Sequence, residues 1–326
     1  MEKLFLHMSG KSRIFAVRYF KLNFLLIYLK FKTLSSKLVT FALAAALFAA
    51  CGGGSPKKQN DSQPAVTDSV TEATPIKEFK TFTVSDKLCF IVHDEEPFTP
   101  EFATYYVRKR FSVEWPEEGM MTDKAMKELL SNYFNVDPTT DIKKAVAEWR
   151  DNVIHNTPGE RVKEIDEDMP YEYSEMHSDC RQDSNIVTFS IDYGDYNIGA
   201  IHGMYAERYL TVDVETGEVI HLSDLLDVKR IGYAVARAIQ DLDVNSEIFD
   251  CLFDEYKEVN EMPLSENFFI DSTHSTINIV YDPYEITPYC CGVQRVCLPI
   301  FWLSKHLKLT PYAKQLFGPE NFLKEK

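Results

Sequence analysis

The stretch NIVTFSIDYGDYNIGAIHGMYAERYLTVDVETGEVIHLSDLL, residues 185–226, decides how the rest of the chain can fold. Apolar and polar residues alternate over 185–195 and 206–214, which predicts two long β-strands. The sequence Glu-Thr-Gly-Glu follows at 215–218, where Gly217 supplies the positive φ of a tight hairpin turn. The loop between the long strands carries Gly-Ala-Ile-His-Gly at 199–203. The strand pattern continues after the turn at Val219–Leu222, so we predict a β-meander of three strands with this loop at one end.

The residues around the meander predict further strands and helices. Upstream, alternation and capping patterns predict strand 79–84, a turn at Ser85 and Asp86, strand 87–93, strand 105–115, helices 124–134 and 142–155, strand 171–177 and a turn at 179–183. Downstream they predict helices 229–242 and 247–259 and strands 267–271, 276–281 and 295–301. Helices and strands that are segregated in this way predict an α+β fold with antiparallel sheet meanders and helices packed on them, in two similar-sized parts.

The leader differs from the rest of the chain. Residues 1–50 contain eight Lys or Arg residues and one acidic residue, Glu2. The apolar run Leu38–Ala50 is shorter than the ~20 residues that a membrane span needs, and it is typical of a signal peptide. It ends in Ala49-Ala50-Cys51, followed by Gly52, which resembles a bacterial lipobox. We predict a signal peptide at 1–50, with an uncleaved anchor helix as the alternative.

The lipobox resemblance implies that Cys51 is lipidated and anchors the chain in a membrane. Residues 51–76 are rich in Ser, Thr and Pro and show no periodicity, which predicts a disordered tether. The parts that follow are predicted at 77–184 and 185–326. The expected location is the cell envelope, on the outer or inner membrane, facing the periplasm or the exterior.

Charge limits the classes of partner. The chain has a net charge of −15, and without residues 1–50 it has 27 Lys and Arg against 49 Asp and Glu, a net charge of −22. Such an acidic chain argues against nucleic acid as a partner and favours a basic protein. Six cysteines besides Cys51 allow 15 pairings, and one disulfide that includes Cys290 or Cys291 is predicted. No motif indicates a metal or another cofactor.

Three segments together resemble a known family. They are the loop at 199–203, the Thr-Gly hairpin that leads into His221-Leu-Ser-Asp-Leu-Leu226, and Val280-Tyr-Asp-Pro-Tyr-Glu-Ile286 followed by Pro288-Tyr289 and Gly292. This pattern is similar to the RsiV-type extracytoplasmic domain, which occurs in lysozyme-binding anti-sigma factors, as an accessory domain of peptidoglycan deacetylases, and in lipoproteins of unknown function. The loop reads Gly-Ala-Ile-His-Gly here, whereas the family pattern is Gly-Gly-Ala-His-Gly. The resemblance implies the fold and extracytoplasmic recognition.

Five residues are candidates for ligand contacts. His202 lies between glycines in the loop, where it either contacts a ligand or locks the loop by bonding the backbone. Tyr205 and Tyr284 can frame a carbohydrate or peptide surface, or they can be core tyrosines. Asp282 and Glu285 can be paired carboxylates for glycoside hydrolysis, or they can hold a surface turn.

We therefore predict an envelope binding module for a protein or glycan, with lysozyme or peptidoglycan as related partners. An envelope glycan hydrolase or deacetylase-like enzyme, and a structural envelope protein, are the alternatives.

Overall fold

The computed structural model describes residues 76–318 except Phe98, Asn135, Pro138 and Glu167. The predicted signal peptide, Cys51 and the tether up to residue 75 lie outside the described residues. No helix in the described part of the chain is long and apolar enough to cross a membrane. The described residues belong to one contact unit that begins at Glu72.

The larger sheet has six strands. They are β1 (Thr81–His93), β2 (Thr104–Pro116), β3 (Glu160–Val162), β4 (Tyr171–Asp183), β5 (Ile186–Tyr196) and β6 (Met204–Asp213). Their order across the sheet is β3-β1-β2-β4-β5-β6, and neighbouring strands are antiparallel except for β2 and β4. The meander prediction is confirmed for β5 and β6, which pair from Ile186↔Asp213 to Asp195↔Met204. The third strand, predicted at 219–222, is wrong, because only one bridge forms there, between Val212 and Val219.

Two helices explain the parallel pair. Helices α1 (Asp123–Tyr133) and α2 (Ile142–Asn156) lie between β2 and β4 in the chain, and parallel neighbours need such a crossover. A side chain caps the N-terminus of each helix by accepting a hydrogen bond from a free backbone amide. Thr122 Oγ1 accepts from Ala125 N at 3.2 Å, and Asp141 Oδ1 accepts from Lys143 N at 2.9 Å. Their apolar faces cover one face of the sheet and form a core with its inward residues.

The three-stranded sheet and the remaining helices form a second core. The strands are β7 (Phe268–Asp271), β8 (Thr276–Tyr281) and β9 (Gln294–Pro299), antiparallel in that order. The helices are α3 (Leu222–Leu225), α4 (Ile231–Asp241), α5 (Ser246–Cys251), α6 (Asp254–Lys257), α7 (Ile300–His306) and α8 (Pro311–Phe317). Short 3-10 helices cover Pro100–Phe102, Val228–Arg230, Asp243–Asn245 and Tyr289–Cys291. The α+β prediction, in two parts, is confirmed.

Side chains from the smaller sheet complete the edge of the larger one. Asn267 Oδ1 accepts from Tyr209 N at 3.0 Å, and its Nδ2 donates to Glu207 O at 2.7 Å. Asp282 Oδ1 accepts from Glu207 N at 3.1 Å. Residues 218–220 bond the end of β6 through the Val212↔Val219 bridge. In the middle of β6, the side-chain bonds take the place of a neighbouring strand, so they satisfy the amides of Glu207 and Tyr209 and block further pairing there.

Two predicted turns are wrong. The turn at Ser85 and Asp86 is absent because β1 pairs with β2 along its whole length, including Ser85↔Ser112. The turn at 179–183 is absent because β4 pairs with β5 as far as Asp183↔Ile186. The chain reverses at Ser184, whose φ of 54° lies in the left-handed region. Continuous pairing therefore overrides the local turn preference.

The helix predicted at 247–259 is also wrong as a single helix. It is divided into α5 and α6 because the Phe253 amide donates to Ile286 O at 3.1 Å and not to a carbonyl of α5. The predicted boundary between 184 and 185 lies in the β4–β5 hairpin, and residues on both sides of it contribute to the larger sheet. The division at that boundary stays a prediction.

Gly217→Ala should lower the free energy of unfolding by ~1–2 kcal/mol. Gly217 has a φ of 69°, and a Cβ added there would lie 3.0 Å from Met120 O. The left-handed conformation and this close approach both disfavour a side chain. Urea unfolding should show a lower midpoint at an unchanged slope.

Gly119→Ala is the matched control for that test. Its φ is 80°, but an added Cβ meets no atom within 4 Å, so only the conformational cost applies. Equal losses in both variants would show that contact with Met120 contributes nothing.

Candidate functional site

The His202 loop is short and locally bonded. It joins β5 to β6 through a turn in which Ala200 N donates to Asn197 O at 3.0 Å. His202 Nδ1 lies 2.9 Å from Gly203 O, which fixes the imidazole against its own backbone. Ile201 at the tip is 90% exposed. The loop tip is therefore exposed, whereas His202 is half-buried.

A second turn faces this loop. It follows β8, and Tyr284 N donates to Thr287 O at 3.0 Å. Tyr284 has a φ of 73°, which is an outlier for a large side chain and costs of the order of 1 kcal/mol. The chain then enters the 3-10 helix that begins at Tyr289 and ends before Gly292, whose φ is 74°.

The two turns bring four rings together, and we call His202, Tyr205, Tyr284 and Tyr289 the aromatic cluster. Tyr289 is central: its ring centroid is 3.8 Å from His202 in a stacked arrangement, 5.9 Å from Tyr284 and 5.4 Å from Tyr205. The Tyr284 hydroxyl lies 3.3 Å from His202 Nε2. Three of the predicted contact residues therefore converge on a fourth residue.

Sequence reasoning left Tyr289 out of the candidate residues. Its side chain has no charge and lies between Pro288 and two cysteines, so nothing in its local pattern separates it from a rim tyrosine. The signal that could have found it is its place in the segment that carries the family resemblance. Partial burial, and then the nearby Tyr173 and Tyr284, raise the pKa of Tyr289 above its ordinary value.

A second group of rings adjoins the aromatic cluster, and we call Tyr171, Tyr173 and Tyr196 the tyrosine row. Tyr173 and Tyr196 are cross-strand partners in β4 and β5 with stacked rings 6.0 Å apart, and Tyr171 lies 6.1 Å from Tyr173. A Cβ added at Gly203 would lie 3.2 Å from the Tyr173 hydroxyl. Glycine at 203 therefore lets the tyrosine row approach the loop that carries His202.

The two predicted carboxylates, Asp282 and Glu285, form hydrogen bonds that hold the fold together. Asp282 Oδ1 accepts from Glu207 N, and Asp282 Oδ2 pairs with Arg208. Glu285 Oε2 accepts from Asp282 N at 2.7 Å and closes the turn. Both oxygens of Asp282 are committed, so this arrangement favours a joint between the sheets over an acid–base pair.

An open cleft lies beside the carboxylates. Its volume is about 1070 Å³, and it is lined by α2, by β2, β4 and β5, and by residues that include Tyr205, Asp282 and Glu285. His202 and Tyr284 do not line it. Within the described residues, no group of three or more His, Cys, Asp or Glu side chains is arranged to hold a metal ion.

Alkaline pH should destabilise the fold through two groups, Tyr193 and Cys180, that pack against the core of the larger sheet. Burial raises the pKa of Tyr193 from 10.0 to about 12, and burial followed by Glu114 raises that of Cys180 from 9.0 to about 12. The unfolded chain ionises at the ordinary values, while the folded chain stays protonated. Stability from these groups is therefore complete below pH 9 and is lost as pH rises towards 12.

Calorimetry from pH 8 to 12 measures this effect as a falling Tm. Tyr193→Phe and Cys180→Ala remove the ionisable groups, and each should flatten the decline. A wild-type decline that neither variant changes would contradict the assignment.

No protein-family model matches this chain, and no curated protein matches it either. The solved structures that are similar include two of the DUF3298 family. A DUF3298 family protein from Pseudomonas aeruginosa PAO1 is 13% identical, with a TM-score of 0.44 over 73% of this chain and 97% of that chain. A member of the DUF3298 family from Bacteroides fragilis NCTC 9343 is 17% identical, with a TM-score of 0.46 over 73% of this chain and 96% of that chain.

Proposed function

We propose that this chain is a cell-envelope binding module that holds a glycan on the aromatic cluster. The observation that carries the proposal is the convergence of four rings at the surface. Tyr205 is 38% exposed and Tyr284 is 49% exposed. Isolated exposed apolar residues need no explanation, whereas a contiguous exposed group is typical of a binding site.

The chemistry of the rings suits a sugar. An aromatic face carries partial negative charge, and the C–H bonds on the flat face of a pyranose ring carry partial positive charge. Phenol hydroxyls and the imidazole can exchange hydrogen bonds with sugar hydroxyls. The tyrosine row extends this surface, so several sugar units of one chain can be held.

Sedimentation with insoluble peptidoglycan tests this proposal. The full-length chain in detergent should sediment with the glycan and be released by soluble peptidoglycan fragments. Retention without release by fragments, or no retention, would contradict glycan binding at this site.

Charge favours a second candidate, a basic protein such as lysozyme. The net charge is −15, and it is −22 without residues 1–50. Titration of lysozyme at low and moderate salt should show binding that weakens as salt rises, because salt screens exposed charges. No binding at either salt concentration would remove this candidate, and a failure of both ligands would favour a structural envelope protein.

The envelope location belongs to the same proposal. It rests on sequence patterns: the signal peptide predicted at 1–50, the resemblance to a lipobox that ends in Cys51, and the tether predicted at 51–76. Cells supplied with labelled palmitate should label the wild-type chain and not Cys51→Ala. Equal labelling of both would overturn the anchor.

The committed oxygens of Asp282 favour binding over the hydrolase alternative. A general acid or base needs a carboxylate that is free to exchange a proton with the substrate. No observation on the described residues favours a deacetylase.

A further inference from the structure

Three cysteines meet behind the aromatic cluster. Cys251 ends α5, and Cys290 and Cys291 lie in the 3-10 helix that starts at Tyr289. The thiols of Cys251 and Cys290 lie close enough to the Cys291 thiol to raise its pKa. The bond from Phe253 N to Ile286 O holds the two chain segments side by side. Two residues far apart in sequence therefore present their sulfurs to each other.

The three thiols differ in access. Cys290 is exposed, whereas Cys251 and Cys291 are half-buried, and all three are unpaired. Burial, and then contact with Cys251, raises the pKa of Cys291 to about 12. Cys291 is therefore a poor first nucleophile, while Cys290 is open to a reagent from solvent. The set contains one accessible thiol and one contacting pair behind it.

We infer that Cys251 and Cys291 form a reversible disulfide, with Cys290 as the thiol that reacts first with a disulfide-bearing oxidant. The Cys290 thiolate attacks the oxidant, forms a mixed disulfide and expels one thiolate of the oxidant. Cys291 displaces the second oxidant thiolate from Cys290, and Cys251 then attacks Cys291 and expels the Cys290 thiolate to leave Cys251–Cys291. Two protein thiols lose two electrons and two protons, and the oxidant disulfide is reduced to two thiols.

The bridge would fix the turn that carries Tyr289. Gly292 follows this turn, and an added Cβ there would lie 3.2 Å from the Tyr205 hydroxyl. A link from residue 291 to α5 would thus join the aromatic cluster to the second core. It would also close a loop with 39 residues between Cys251 and Cys291 and raise the thermal stability.

Peptide mapping of the full-length chain tests this assignment. The chain is incubated with oxidised glutathione, free thiols are blocked, and it is digested with trypsin without reductant. Cys251 falls on peptide 238–257, and Cys290 and Cys291 share peptide 258–295. We expect these two peptides to be linked. Fragment ions should place the bond at Cys291, and treatment with dithiothreitol should separate the peptides.

Variants identify the partners independently. The link should be lost in Cys251→Ser and Cys291→Ser, form more slowly in Cys290→Ser, and be unchanged in Cys180→Ala, which removes a half-buried thiol of β4. An unlinked wild-type chain after oxidation, or a link that survives Cys291→Ser and is lost in Cys290→Ser, would overturn the assignment. Peptide mapping of the wild-type chain still identifies the linked cysteines if one variant fails to fold.

Discussion

Tyr289→Ala should weaken glycan binding about 30-fold, which corresponds to a loss of about 2 kcal/mol at a central aromatic contact. The ring stacks on His202 at 3.8 Å and contacts both Tyr205 and Tyr284. Its removal deletes one stacking face and also frees its neighbours from their fixed orientation. The effect should therefore exceed that of removing a peripheral ring. Titration with soluble peptidoglycan fragments measures it directly.

Two further variants make the result specific. Tyr289→Phe keeps the ring and should retain most of the affinity if stacking dominates. Tyr233→Ala removes a half-buried tyrosine of α4 that lies under Arg230, outside the aromatic cluster, and it should bind like the wild type. Wild-type affinity in Tyr289→Ala, with an unchanged circular dichroism spectrum, would show that the ligand docks elsewhere.

Asn245→Ala should lower the free energy of unfolding by about 3 kcal/mol. Asn245 is 1% exposed and connects the end of α4 to β9. Its Nδ2 donates to Ala238 O at 3.1 Å and to Cys297 O at 3.0 Å, and its Oδ1 accepts from Cys297 N at 3.0 Å. Alanine leaves the amide and the carbonyl of Cys297 without their partner in a site closed to water, and each such group is costly. Ala238 O keeps its bond from the Leu242 amide.

Chemical denaturation measures this loss, and Asn278→Ala is its matched control. Asn278 is also buried, at 8% exposure, but its side chain donates only to Thr276 Oγ1 at 3.0 Å. Its truncation should cost less because no backbone group loses a partner. Equal losses in the two variants would contradict a special role for the Asn245 bridge.

The local patterns predicted most of the elements because local physics suffices for them. Thr122 and Asp141 cap their helices as the sequence indicates, and the strands at both ends of the His202 loop follow their alternation. The predictions failed where a distant partner overrode local preference. Asp86 continues β1, and its carboxylate accepts from Arg150 Nη2 at 2.6 Å. Phe253 interrupts a helix because Ile286 takes its amide.

In the candidate site, too, local features were predicted and contacts between distant segments were not. The glycines around His202 and the prolines around Tyr284 marked two turns, because residue type restricts φ locally. Nothing local shows that these turns, some 80 residues apart, meet over Tyr289, or that the carboxylate of Asp282 is used to complete a sheet edge.

The sequence by itself determined the α+β class, the meander around residues 185–226 and the three residues His202, Tyr205 and Tyr284 that share the aromatic cluster. Only the tertiary structure decided that Tyr289 is its centre, that β2 and β4 run parallel, and that Cys251 faces Cys291. The physical reason is the distance along the chain over which each kind of interaction acts. Backbone preference and hydrophobic periodicity act within a few residues, whereas stacking, edge completion and thiol contact depend on which distant segments the two cores bring together.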